Sequence, residues 1–135
     1  VLAWRGNPGR HTSEYIDDDD WKQSITEAGR KQMDSLSDGL WDNSRWNELL
    51  NSAEAFSKQS GLSDDASRSE LVEKGKSASL RAGLDLETSV LLCMLGESIA
   101  IVPRDLSKEN SLDNLLSELT EEGLDVTLTQ VGPLS

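Results

Sequence analysis

Between residues 46 and 56 the apolar positions Trp46, Leu49, Leu50, Ala53 and Phe56 recur at three- and four-residue steps, which places them on one face of a helix. Asn43 or Ser44 can cap its start and Gly61 can end it. A second clear helix runs through Leu112, Leu115, Leu116 and Leu119 and stops at Gly123. From Asp19 or Asp20, the positions Trp21, Ile25, Ala28 and Leu36 predict a helix to about Leu36, which Gly29 weakens by ~1 kcal/mol and Gln32 interrupts. Ser67 and Glu70 have the spacing of a capping box and open a short helix that Gly75 would end.

Further along, the period changes. Leu80, Ala82, Leu84 and Leu86 alternate with polar residues, the signature of a half-buried strand. SIAIV, residues 98–102, also predicts a strand, and Val126 and Leu128 alternate in a last one. TSVLLCML, residues 88–95, reads in two ways: a buried helix, or the first arm of a hairpin turning on Gly96 and Glu97. The fold class expected is α+β, with a helical N-terminal half of two to three helices followed by a small sheet of two to four strands carrying one leucine-faced helix. Residues 1–13, with Gly6, Gly9 and the Asn7-Pro8 pair, read as an irregular N-terminal arm; residues 14–135 read as a single domain, helical over 19–75 and mixed over 78–132.

All four tryptophans, Trp4, Trp21, Trp41 and Trp46, lie in the first 46 residues, so the core of the second half must be aliphatic. Charge is the other asymmetry. The formal net charge is −12, spread evenly: 13 acids against 7 bases up to residue 67, and 12 against 6 beyond. Such a field repels nucleic acid and anionic lipid, which argues against direct DNA, RNA or membrane-surface binding and in favour of a basic protein partner. No apolar stretch approaches the ~18 residues of a membrane span. The single cysteine, Cys93, sits in an apolar run, which rules out an intrachain disulfide and points to a reducing compartment. The chain starts at Val1, and VLAW resembles the Val-x-Ala ending of a plastid transit peptide; cytoplasm, or an organelle matrix or plastid stroma after leader removal, are the expected locations.

The densest charge is the run Asp17, Asp18, Asp19 and Asp20 between Ile16 and Trp21. A calcium loop beginning at Asp17 would need ligand oxygens where Trp21 stands and glycine where Lys22 stands, so the EF-hand pattern fails. Acids in a first helical turn are stabilised by the helix dipole, which accounts for Asp19 and Asp20 and leaves Asp17 and Asp18 as surplus charge for a basic partner or for the chain's own Arg5 and Arg10. EKGKS, residues 73–77, lacks the earlier glycine of a phosphate-binding loop, Glu70 standing in its place. GESIA, residues 96–100, precedes strand-like sequence where a nucleophile elbow needs a helix, and the only imidazole, His11, lies in the arm. One histidine and one cysteine are too few for a Cys-His pair or a histidine-based metal centre, and no cofactor motif is present.

These observations lead to an expectation of a non-enzymatic, acidic protein-protein interaction domain, an accessory subunit or assembly factor that docks on a larger, more basic protein or complex. Its contact residues would be Trp4, Arg5, Tyr15, the four aspartates Asp17, Asp18, Asp19 and Asp20, Trp21 and Trp41 in the N-terminal region. Glu118, Glu121 and Glu122 join them: they crowd a helix C-terminus where the dipole disfavours acids, and are either tolerated on the surface or neutralised by a bound basic segment. Two alternatives stand beside this reading: an inhibitor or immunity-type protein presenting carboxylates to a basic nucleic-acid-handling partner, and a small carboxylate- or ion-dependent enzyme. The oligomeric state is not specified by any feature of the sequence.

Overall fold

The computed structural model describes residues 1–5, 17–93 and 97–130. Four short strands, β1 (Leu2–Trp4), β2 (Thr88–Leu92), β3 (Ser98–Pro103) and β4 (Asp125–Thr127), form one antiparallel sheet in the order β2-β3-β1-β4. Four helices accompany it: α1 (Asp19–Leu36), α2 (Trp46–Gln59), α3 (Ala66–Arg81) and α4 (Asp113–Glu121). The class is α+β, with the helical half ahead of most of the sheet. No helix of the described residues is long and apolar enough to cross a membrane.

The first residues of the chain occupy an interior strand. Leu2 lies opposite Ala100 on one side and Thr127 on the other, and Trp4 opposite Ser98 and Asp125. Just before them, the Val1 nitrogen donates to the Ile101 carbonyl at 3.0 Å. This corrects the reading of the arm: residues 2–4 are strand, while residues 6–16 lie outside the described part. Three residues are too few to show a period, and what makes them a strand is two neighbours that supply ladder partners from far along the chain.

Alternation divides the sheet into two sides. Ala3, Val90, Ile99 and Ile101 are buried in one core with Leu71 and Ala78 of α3, Leu115 and Leu119 of α4, and Leu124. The approach of α3 is close at Gly75, where an added Cβ would stand 2.6 Å from Ile99 Cδ1 and 2.9 Å from Val90 Cγ1. Gly75 is therefore a contact residue inside α3 and not the helix stop expected of it. The Asp65 carboxylate caps α3 by accepting from the Ser67 amide at 3.0 Å, so the Ser67 and Glu70 capping box is not the one used. The helix ends at Gly83, whose φ of 75° lets the Leu84 amide reach back to the Ser79 carbonyl at 2.8 Å.

That longer helix removes the expected strand over residues 80–86. Leu80 and Leu86 are largely exposed, and only Leu84 of the alternating set is buried, so the period-two pattern there is accidental. The two readings of residues 88–95 resolve in favour of the strand, β2 paired with β3, with the Cys93 amide donating to the Ser98 carbonyl at 2.9 Å. Residues 94–96, which include the expected turn glycine, are outside the described residues. α1, α4 and β3 lie where the periodicity put them, and so do the body of α2 and the start of β4. Neither Asn43 nor Ser44 caps α2: both belong to the 3-10 turn Asn43–Arg45, and the helix follows Arg45 with no side-chain cap. β4 ends at Thr127, so Leu128 of the expected strand lies beyond it and is exposed. α2 packs on α1 and beside β2, and Leu50, Leu62 and Ala28 are buried within this helical half. Arg68, itself buried, ties the halves together: its Nε donates to the Leu62 carbonyl and its guanidinium to the Cys93 carbonyl, each at 3.0 Å.

Candidate docking surfaces

The aspartate run is mostly helix start. Asp18 is the N-cap of α1, with Oδ1 accepting from the Asp20 and Trp21 amides at 3.0 and 3.2 Å, and Asp19 and Asp20 fill the first turn. Only Asp17 remains outside that arrangement. Trp21 follows directly, and its ring comes within 3.5 Å of a Cβ built on Gly61, so it packs against the end of α2. Arg5 makes its contacts elsewhere: it approaches Glu70 at 3.5 Å and Glu97 at 4.0 Å and donates to Ser67. Tyr15 lies outside the described residues.

Glu118 and Glu122 are neutralised within the chain. The Arg81 guanidinium, at the C-terminal end of α3, spans both carboxylates at 2.7 Å, and these bonds raise its pKa. The dipole argument recognised excess acid at this helix end and left it either tolerated on the surface or neutralised by a partner; α3 itself supplies a cation to Glu118 and Glu122. Glu121 is exposed.

The four tryptophans do not converge. Trp46 is turned inward and donates from Nε1 to the Pro103 carbonyl at 2.7 Å. This indole borders a polar cleft of about 490 Å³ that also takes in Arg104 and Asp105. The Ser107 hydroxyl and amide donate to Asp105 and hold its carboxyl below the usual range. Among the described residues every carboxylate with a resolved shift, Asp42, Glu48 and Asp105, is pushed down. No group of three or more His, Cys, Asp or Glu is placed to hold a metal among the described residues.

Two tryptophans are presented outward, at separate places. The first is Trp41, in the turn between α1 and α2. Its Nε1 donates to the Leu36 carbonyl at 2.8 Å, and the Arg45 guanidinium lies 3.8 Å above its ring. Arg45 also donates to the Asp38 carbonyl at 2.6 Å and grips both Glu48 oxygens at 2.8 Å. Hydrogen bonding to Glu48 raises the Arg45 pKa and lowers that of Glu48. Asp42 caps the short 3-10 turn Asn43–Arg45 by accepting from the Ser44 amide at 2.8 Å and from its hydroxyl, which depresses its own pKa. Gly39, with φ of 79°, allows the chain to reverse.

This braced turn exposes apolar surface. Leu40 is 92% exposed, Met33 62% and Trp41 45%. Interspersed with them are Asp34, Asp38 and Asp42, and no basic residue occurs between Met33 and Asp42. Sequence reasoning picked out Trp41 but missed Leu40 and Met33. The available signal was SDGLWD, in which two large apolar residues stand outside the stripe of either flanking helix.

The second is Trp4. With Leu2 it projects from β1 on the side of the sheet opposite the core, and both keep 37% of their surface exposed although β1 is an interior strand. They border a groove of about 450 Å³ with Arg5, Cys93, Glu97 and Ser98. No family model matches this chain, and neither the curated proteins nor the solved structures contain a match to it.

Proposed function

We propose that this chain is a non-enzymatic, acidic interaction module, an accessory or assembly factor that seats on a larger basic protein through the turn between α1 and α2. The observation that carries the reading is Leu40, nearly fully exposed on a turn whose backbone is held by Arg45 and Trp41. An apolar side chain on a braced loop is ordered before binding, so little conformational entropy is lost when it is buried. Asp34, Asp38 and Asp42 frame it with charge of the sign that attracts a basic surface. In this mechanism the net charge of −12 steers the encounter, and burial of Leu40, Met33 and Trp41 supplies the affinity.

The test is photo-crosslinking in an extract of the source organism, with the reactive residue in place of Ser35 beside the turn and, as a control, in place of the exposed Leu86 in the turn between α3 and β2. A basic protein trapped from position 35 only, and lost at high salt or in Leu40→Asp, supports the reading. Trapping that is equal from both positions, or none from position 35, overturns it.

A further inference from the structure

The chain contains a single step in which aspartate precedes glycine, Asp38-Gly39, and the fold leaves it open to reaction. Both residues lie past the end of α1 and are exposed. Among the described residues neither the Asp38 carboxylate nor the Gly39 amide has a hydrogen-bond partner. Beyond its chain neighbours, the nearest atom to a Cβ built on Gly39 is Arg45 Nη1 at 3.9 Å, so the space beside this peptide bond is unobstructed. The same nitrogen donates to the Asp38 carbonyl at 2.6 Å. An amide whose carbonyl is bonded to a cation gives up its N–H more readily, and the Gly39 nitrogen becomes a better nucleophile toward the adjacent carboxyl carbon. The Asp34-Ser35 step differs: it lies inside α1, where the helical ladder engages the Ser35 amide.

We infer that Asp38-Gly39 is a site of spontaneous isomerisation in the folded protein, and that the reaction releases the brace on the α1–α2 turn. The Gly39 nitrogen attacks the Asp38 carboxyl carbon in its acid form; a C–N bond forms, and the carboxyl OH leaves with the amide proton as water, closing a five-membered succinimide. Water then opens the ring. Opening at the former side-chain carbonyl restores aspartate, while opening at the main-chain carbonyl breaks its bond to the Gly39 nitrogen and leaves the chain running through the β-carbon as isoaspartate. Water is released and taken up again, so no other reactant is needed. In the isoaspartyl form the oxygen that Arg45 holds belongs to a carboxylate on a side branch, and the backbone from α1 to Gly39 is longer by one methylene. The guanidinium then fixes the branch and no longer the path that carries Leu40 and Trp41. This chemistry is independent of whether the turn docks a partner.

Ageing the purified chain at neutral pH, folded and in guanidinium chloride, tests the inference, with isoaspartate located by peptide mapping and electron-transfer mass spectrometry. A site that reacts only after unfolding is slowed by the unfolding equilibrium, about a thousandfold or more for a stable domain. A site already open in the native state is not slowed in this way, so the folded chain is expected to form isoaspartate at position 38 at a rate within about tenfold of the unfolded chain. A folded-state rate more than about tenfold below the unfolded one, or reaction at position 34 of the folded chain that keeps pace with position 38, overturns the inference. The isoaspartyl form, separated by anion exchange, tests the brace without any substitution. Its Trp41 indole hydrogen is expected to exchange severalfold faster than in the unmodified chain while α3 is unchanged, and exchange at the unmodified rate overturns the release of the turn.

Discussion

Gly75 stands directly against Ile99: a methyl group placed on the glycine would come within 2.6 Å of the isoleucine Cδ1. Two effects compete in Gly75→Ala. Helix propensity favours alanine by about 1 kcal/mol, while overpacking a filled core costs about 1–3 kcal/mol. Ile99 is fully buried and Val90, the second neighbour, nearly so, which leaves neither side chain room to retreat. Gly75→Ala is therefore expected to lower stability by up to roughly 2 kcal/mol in urea unfolding; a gain in stability would mean that α3 can lift off the sheet at no cost.

Arg68 joins the Leu62 carbonyl to the Cys93 carbonyl from a buried position. Replacing it with methionine keeps most of the volume and leaves both acceptors unsatisfied. A loss of about 2–4 kcal/mol is expected from such orphaned groups, read as a shift of the unfolding midpoint with unchanged slope. Near-wild-type stability would show that water replaces the guanidinium.

The aspartate run separates by role. Asp18→Ala removes the cap of α1 and is expected to cost about 1 kcal/mol, whereas Asp17→Asn should stay within about 0.5 kcal/mol of wild type. Equal effects in thermal unfolding would assign the run a collective electrostatic role instead.

At the α1–α2 turn, Arg45→Lys retains the charge but loses the planar fork that reaches Asp38, Glu48 and the Trp41 ring together. Hydrogen exchange of the Trp41 indole and of the Ser44 and Arg45 amides should accelerate while exchange in α3 and the sheet is unchanged. Exchange that is unaltered at Trp41 would show that the turn is held by other contacts.

Acid should loosen the same turn. The Ser44 hydroxyl and amide hold the Asp42 pKa below its ordinary value, so the folded state binds this proton less readily than the unfolded chain. Its contribution is present in full above the usual aspartate range near 4 and is lost as pH falls through the depressed folded value. Carboxyl chemical shifts followed through an acid titration should show Asp42 protonating below the ordinary aspartate value of about 4, with Ser44 amide protection lost in parallel. Protonation of Asp42 at or above that ordinary value would contradict the hydrogen bonds assigned to it.

The helices with long apolar stripes were legible in the sequence because a stripe at helical period reports one buried face wherever that face packs. α2 and α4 follow that rule, and α1 follows it despite Gly29. The α3 stripe is different. Its contact with the sheet runs through Leu71, Gly75 and Ala78, two of them small, so the helix carries little apolar period and its glycine resembles a terminator. The better clue was Gly83, a glycine two residues past Arg81 in the position a helix stop requires.

From the sequence alone came the α+β class, the aliphatic core of the second half and the acidic field, since composition and local period depend on nothing distant. Tertiary structure decided the rest. It made Leu2–Trp4 an interior strand through partners nearly 100 residues away, gave Glu118 and Glu122 to Arg81, sent Trp21 and Trp46 inward, and left Leu40, Trp41 and Trp4 outside. Whether an indole or a carboxylate is free depends on which side chains of other elements reach it, and that is a property of packing that no local pattern encodes.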